Sequence, residues 1–207
     1  INRSNSALCF EQSAVFCIEI LSALWYTFAQ TLKSEDKTMS VRSPFDPTIP
    51  AIIEPSAVIK ALDNFPKIAI ATFDAEAVML MCEKYNGQSI AKLRCGYDVL
   101  VYKIEYKGTE FAIYHSQLGG PATAMMMEQV IARGAKKMLF YGVCGTLEQS
   151  LLENAFVIPT AAYRDEGTSY HYLQSQAPFV EIESARRLSQ IFQDLHIPHT
   201  CGKTWTT

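Results

Sequence analysis

Hydrophobic and polar positions along the chain sort into a small set of elements. Residues 67–73 read KIAIATF, a short apolar run with no polar alternation, which predicts a strand covered on both faces. Residues 76–85 return to a helical period and stop at Asn86-Gly87, a pair suited to a left-handed helix end. Residues 100–106 and 110–115 flank Lys107-Gly108-Thr109, a hairpin signal with glycine in the turn. After Gly119-Gly120, Pro121 stands where a helix needs no N–H, and Met126, Val130 and Ile131 supply an apolar stripe at i, i+4, i+5. Further strands are expected over 136–141 and 155–162. A helix is expected over 182–195, with Ala185, Leu188, Ile191, Phe192 and Leu195 on one face. Strands alternating with helices predict an α/β fold: three layers, α/β/α, around a central mixed, mostly parallel sheet.

The N-terminal stretch follows different rules. Residues 7–32 are apolar and aromatic, but Glu11 and Glu19 interrupt them. A carboxylate near mid-membrane costs about 2.5–3.5 kcal/mol, and no basic start or small-residue cleavage site marks a signal peptide. Residues 1–38 therefore read as an appended helix or a segment foreign to the fold, and 39–207 as the domain, with Met39 directly before it. Pro44, Pro47, Pro50 and Pro55 make 43–55 an extended connector. Ser56 then reads as the cap of a short amphipathic helix through Ala57, Ile59, Lys60 and Leu62.

A length of 207 residues suits one α/β domain better than two. The net charge of -3, with Lys and Arg scattered, argues against a nucleic-acid surface. Six cysteines form no C-x-x-C pair and have no histidine at ligand spacing, so neither a metal nor a resident cofactor is expected. Their setting in apolar segments suits a reducing, cytoplasmic location.

Two blocks carry a family resemblance. Gln117-Leu118-Gly119-Gly120-Pro121-Ala122-Thr123-Ala124, with Gly142-Val143-Cys144-Gly145-Thr146 after the next strand, resembles the purine/uridine nucleoside phosphorylases. The stretch from Val157 through Arg164-Asp165-Glu166-Gly167-Thr168-Ser169-Tyr170-His171-Tyr172 is similar to the strand and loop that follow in that family. The resemblance implies that inorganic phosphate, as co-substrate, attacks C1′ of a purine or pyrimidine nucleoside, releasing the base and ribose 1-phosphate. It assigns substrate contacts to Gly119, Gly120, Val143, Cys144, Gly145 and Thr146, and base stacking to Trp205. Phosphate falls to Gly142, Val143 and, from nearby or from a neighbouring subunit, Arg94. Small molecules and further copies of the chain, in a dimer or hexamer, are the implied partners, without nucleic acid or membrane.

The chain departs from the family where phosphate is concerned. Val143 stands where a hydroxyl is usual, Phe140 where an arginine is frequent, and Ala71-Thr72-Phe73-Asp74-Ala75 replaces a Gly-Asp-Pro-x-Arg loop. Two other readings stay open: a nucleosidase using water on methylthioadenosine or adenosylhomocysteine, and a silent nucleoside-binding member. For 164–172 the bland interpretation is a loop shaped by Asp165 and Thr168 around Gly167, with Tyr170 and Tyr172 at a subunit contact; a general acid or base at His171 is the alternative. His115 reads as a strand-end histidine, Met125-Met126-Met127 as core packing on part of a helix, and Glu128 as solvated or capping. The family's ribose-binding carboxylate and its proton donor to the base would follow Thr207, so no catalytic residue is assigned. These residues alone are expected to show little or no turnover, checked by phosphate-dependent base release from the purified chain.

Overall fold

In a computed structural model of the chain, the described residues are 14–19 (backbone only), 49, 51–147, 156–173, 175 and 177–206. They form a nine-stranded mixed sheet: β1 (Ala14–Glu19), β2 (Ile68–Thr72), β3 (Gln88–Cys95), β4 (Tyr97–Tyr106), β5 (Thr109–His115), β6 (Lys137–Cys144), β7 (Phe156–Tyr163), β8 (Phe179–Glu181) and β9 (His199–Trp205). The path runs β3-β4-β5-β2-β6-β1-β7-β8, with β9 on β7. Helices are α1 (Pro55–Val58), α2 (Ala75–Lys84), α3 (Gly120–Arg133) and α4 (Ala185–Asp194).

The apolar run in β2 forms the centre because both its edges are taken by parallel neighbours, β5 and β6. Its side chains alternate between two cores. Ala69 and Ala71 join Ala112, Tyr114, Val101, Met138 and Phe140 beneath Met126 and Val130 of α3. Ile70 faces the other way, to Ile104, Ile113 and Val78 of α2. This gives the expected three layers, with small residues on the α3 side of β2 allowing the longer helix to lie close. Parallel pairing is confined to β5-β2-β6, β7-β9 and one β1-β7 contact; β3-β4, β4-β5, β7-β8 and β1-β6 are antiparallel.

Several boundaries differ from the sequence expectations, each for a local reason. Lys107 (φ 50°) and Gly108 (φ 74°) turn the β4-β5 hairpin in two left-handed residues, as the glycine signal implied. The strand β3 was not expected. Lys92 and Arg94 break its apolar pattern, only Leu93 is fully covered, and an irregularity between Ser89 and Ala91 shifts its alternation. Ser56 is no cap: α1 has four residues, begins at Pro55 after Glu54, and shows no side-chain capping bond. Asp74, not singled out in the sequence, caps α2 by accepting from the N–H groups of Glu76 and Ala77. Residues 14–19 lie as a strand antiparallel to β6 rather than in a helix. The rest of the expected N-terminal helix falls outside the described residues.

The methionine run divides as its helical spacing requires. Met126 is wholly buried, whereas Met125 is exposed. Met126→Ala is expected to cost about 2–5 kcal/mol through lost packing and the cavity left behind. Met125→Ala should stay within about 0.5 kcal/mol. Urea unfolding of the two variants checks the contrast.

Candidate functional site

The candidate site is the edge of the sheet where β2, β5 and β6 end. Thr72 lies opposite both His115 and Tyr141, so β2 and β5 finish together while β6 runs three residues further, to Cys144. The Ser116 N–H donates to Thr72 O at 2.7 Å, and the Phe73 N–H to Tyr141 O at 3.1 Å. These bonds tie each departing segment to its neighbour. His115 and Tyr141 therefore flank β2, two strand spacings or about 10 Å apart, and residues 142–144 carry β6 beyond the other two strands.

The first bend is built by glycine geometry. Gly119 holds φ 95°, a region that other residues rarely adopt, and turns the chain from β5 into α3. The Thr123 N–H donates to Gly119 O, and the Thr123 hydroxyl to Gln117 O at 2.8 Å, which closes the first helical turn. A Cβ on Gly120 would meet Thr168 Oγ1 at 3.0 Å and Glu166 Cβ at 3.4 Å. The loop after β7 is thus seated directly on the start of α3.

The second bend differs from the expected anion nest. Gly142, Val143 and Cys144 are strand residues, paired with β1 as far as Ala14 opposite Cys144. Neither Gly142 nor Gly145 has a positive φ, and the alternating backbone of a nest is not adopted. Gly142 instead permits close approach of a ring: its Cβ would lie 2.9 Å from Phe73 Cδ2, and Phe73 stacks on Phe140 at 6.3 Å between centroids. Val143 is exposed and Cys144 half-buried, and burial pushes the Cys144 thiol up, keeping it protonated rather than a nucleophilic thiolate. Thr146 continues beyond the strand at the same edge.

Arg94 is not brought to this bend. Its backbone exchanges hydrogen bonds with the Gln129 side chain, halfway along α3. Its own side chain is 88% exposed, with Nε 3.7 Å from Asp98. At the start of α2, the carboxylate of Asp74 already occupies the helix N–H groups that an anion would use.

The third wall is the segment after β7. Arg164 is only 3% exposed, an unusual position for a guanidinium. It is tolerated because Nε donates to Ser169 Oγ (3.0 Å), Nη1 to Ser175 O (2.7 Å) and Nη2 to Leu173 O (2.6 Å), with the Tyr170 ring 3.9 Å away. Burial lowers its pKa somewhat, while Tyr170 and Glu166 favour the charge. Glu166 in turn accepts from the Ser169 N–H. Gly167 turns with φ 82°, as the loop reading expected. His171 ends the short 3-10 turn Thr168–His171 and Tyr172 follows it. The Tyr172 hydroxyl donates to Glu128 at 2.7 Å, so the half-buried Glu128, besides meeting solvent, fastens this loop to α3; burial and that bond raise the phenol's pKa. Trp205 ends β9 with its Nε1 donating to Asp165 at 3.1 Å and Tyr163 edge-on at 6.4 Å. Since Glu166 touches Gly120 and Asp165 precedes it, Trp205 is linked to the first bend through two consecutive residues.

Sequence reasoning missed Arg164 as the centre of this loop. Its signal was an arginine directly after an apolar strand, followed within six residues by an aromatic and hydroxyl groups. An open groove of about 580 Å³ lies at the opposite end of the sheet, near Asp63, Lys67, Lys103 and Glu110. Lys103 and Glu110 pair with each other there at 2.7 Å. Among the described residues no three His, Cys, Asp or Glu side chains gather as for a metal. No described helix is long and apolar enough to cross a membrane.

The sequence model of the phosphorylase superfamily matches residues 67–207, which include β2, β5, β6, β7 and β9. The chain belongs to the phosphorylase superfamily. Uridine phosphorylase of Thermococcus kodakarensis is 30% identical over 104 residues, covering 50% of this chain and 38% of that protein. The structure of uridine phosphorylase from Vibrio fischeri superposes with a TM-score of 0.60 at 20% identity, covering 70% of this chain and 61% of that one. A futalosine hydrolase mutant from Helicobacter pylori shares the fold at TM-score 0.54 and 22% identity, covering 68% and 65%. The chain thus spans 38% of the length of the Thermococcus relative. Superfamily membership accounts for the fold and the enzyme class of the relatives; the reaction belongs to particular side chains.

Replacing Arg164 tests whether it organises the third wall. Arg164→Met leaves the carbonyls of Leu173 and Ser175 without donors and is expected to cost about 2–3 kcal/mol. Limited proteolysis should show earlier cleavage within 165–175, and urea unfolding a lower midpoint.

Proposed function

We propose that this edge binds a nucleoside and takes part in cleaving its N-glycosidic bond, with inorganic phosphate as the attacking group. The carrying observation is convergence: the Gly119-Gly120 bend, the end of β6 and the loop holding Trp205 meet at one edge inside the superfamily match. In this reading Trp205 stacks on the base, and Cys144, Gly145 and Thr146 run along the pocket edge. Gly119 and Gly120 give the backbone close approach to the sugar, while Gly142 and Val143 lie nearest the phosphate, which Arg94 of a neighbouring copy would assist. Phosphate attacks C1′ as the bond to the base breaks, so the enzyme's task is positioning and stabilising charge. A cytoplasmic homo-oligomer acting only on small molecules fits the cysteine usage and charge.

One observation favours water as the acceptor instead. Phe73 packs over Gly142, and Asp74 fills the amide groups of α2 with a carboxylate. An apolar ring and a negative charge on this stretch disfavour a second anion. Base release from uridine, inosine, guanosine and methylthioadenosine, measured with and without phosphate, separates the readings. Turnover by these residues alone is expected to be slight, and whatever release occurs is expected to rise with phosphate and saturate. Release indifferent to phosphate assigns hydrolysis. Trp205→Ala should weaken nucleoside binding by about 1–3 kcal/mol, read by calorimetry.

A further inference from the structure

Trp205 combines two properties that rarely occur together. It is 53% exposed, yet its ring is held by two neighbours. The Nε1–H donates to Asp165 Oδ2 at 3.1 Å, and Tyr163 meets the indole at 77° between planes. Tyr163 is itself backed by Phe179 at 5.2 Å, so this contact is supported from behind. One perpendicular neighbour and a hydrogen bond at Nε1 leave an indole face for another flat group.

The carboxylate that holds the ring is also immobilised. On one side, the Arg164 N–H donates to Pro178 O, and its guanidinium is bound at three points. On the other, Glu166 lies against Gly120 and accepts from Ser169. Asp165 is therefore clamped between two fixed neighbours, with its own side chain turned to the tryptophan. Its lone described side-chain bond serves a residue forty positions away in sequence, so shaping its own loop does not explain it.

We infer that Asp165 is a positioning residue, holding the Trp205 indole so that one open face receives a planar heteroaromatic ring beside the Gly119-Gly120 bend. The inference rests on the nucleoside reading above and adds to it the group that presets the stacking surface. A ring already held in its bound orientation loses less freedom when the ligand arrives.

The test uses intrinsic fluorescence of the full chain, in a Trp25→Phe background so that Trp205 is the sole tryptophan. Without ligand, Asp165→Ala should lower the steady-state anisotropy of Trp205 and shift its emission to longer wavelength. Asp165→Asn keeps an oxygen acceptor and should restore both. In quenching titrations with hypoxanthine, uracil, inosine and uridine, Asp165→Ala should bind about three- to tenfold more weakly. Asp165→Asn should lie within about twofold of the parent. Unchanged anisotropy and affinity in Asp165→Ala would overturn the positioning role while leaving the nucleoside reading in place. Equal losses in Asp165→Asn and Asp165→Ala would overturn it too. If no probe quenches the parent, the stacking surface and the nucleoside reading fall together, even where Asp165→Ala frees the indole.

Discussion

The hydrogen bonding of β2 on both edges is the constraint from which the rest of the site follows. A strand this short, with alanines toward one core and an isoleucine toward the other, is stable only between partners. Both partners are parallel to it, each reached through a crossover, so all three strands run toward the same edge. Ser116 and Phe73 then tie the departing backbone to the adjacent strand within one residue of that edge. The bends thereby inherit the rigidity of the sheet.

Against this frame the loop after β7 is a separate device with its own anchor. A buried guanidinium takes the place of a hydrophobic core: it binds two carbonyls and a hydroxyl, and an aromatic ring covers it. Such a centre suits a loop whose backbone must find donors without secondary structure. Arginine is the fitting residue, since its fork offers several donors in fixed directions and stays charged. The loop reaches α3 at Gly120 and, through Tyr172, at Glu128, so one wall is fastened to the helix at two heights.

Much of the fold was legible because its elements obey simple periods. KIAIATF, the Lys107-Gly108 turn and the Met126/Val130 stripe each led to the element that the structure contains. β3 was hidden because charged residues and a bulge erase its alternation, and the strand at 14–19 because its apolar run carries no period that separates helix from strand. For the candidate site, the Gly119-Gly120 bend was readable in advance, since its backbone demand leaves a residue-type signature, whereas Gly142 lies in a strand and serves to admit the Phe73 ring. The Asp74 cap, the Arg164 anchor and the Asp165–Trp205 bond were not. Each depends on which distant or local groups a polar side chain finds once the chain is folded, and residue type alone does not specify that choice.

The contact between Gly142 and Phe73 couples two positions 69 residues apart in sequence. Any side chain at 142 would displace the aromatic ring, and any small residue at 73 would leave an empty volume above the central strand, shaped by a phenyl group and floored by Phe140. The absent Cβ at 142 and the ring at 73 therefore share one ring-sized space, and a change at either position is felt at the other while the strand pairing around them stays the same.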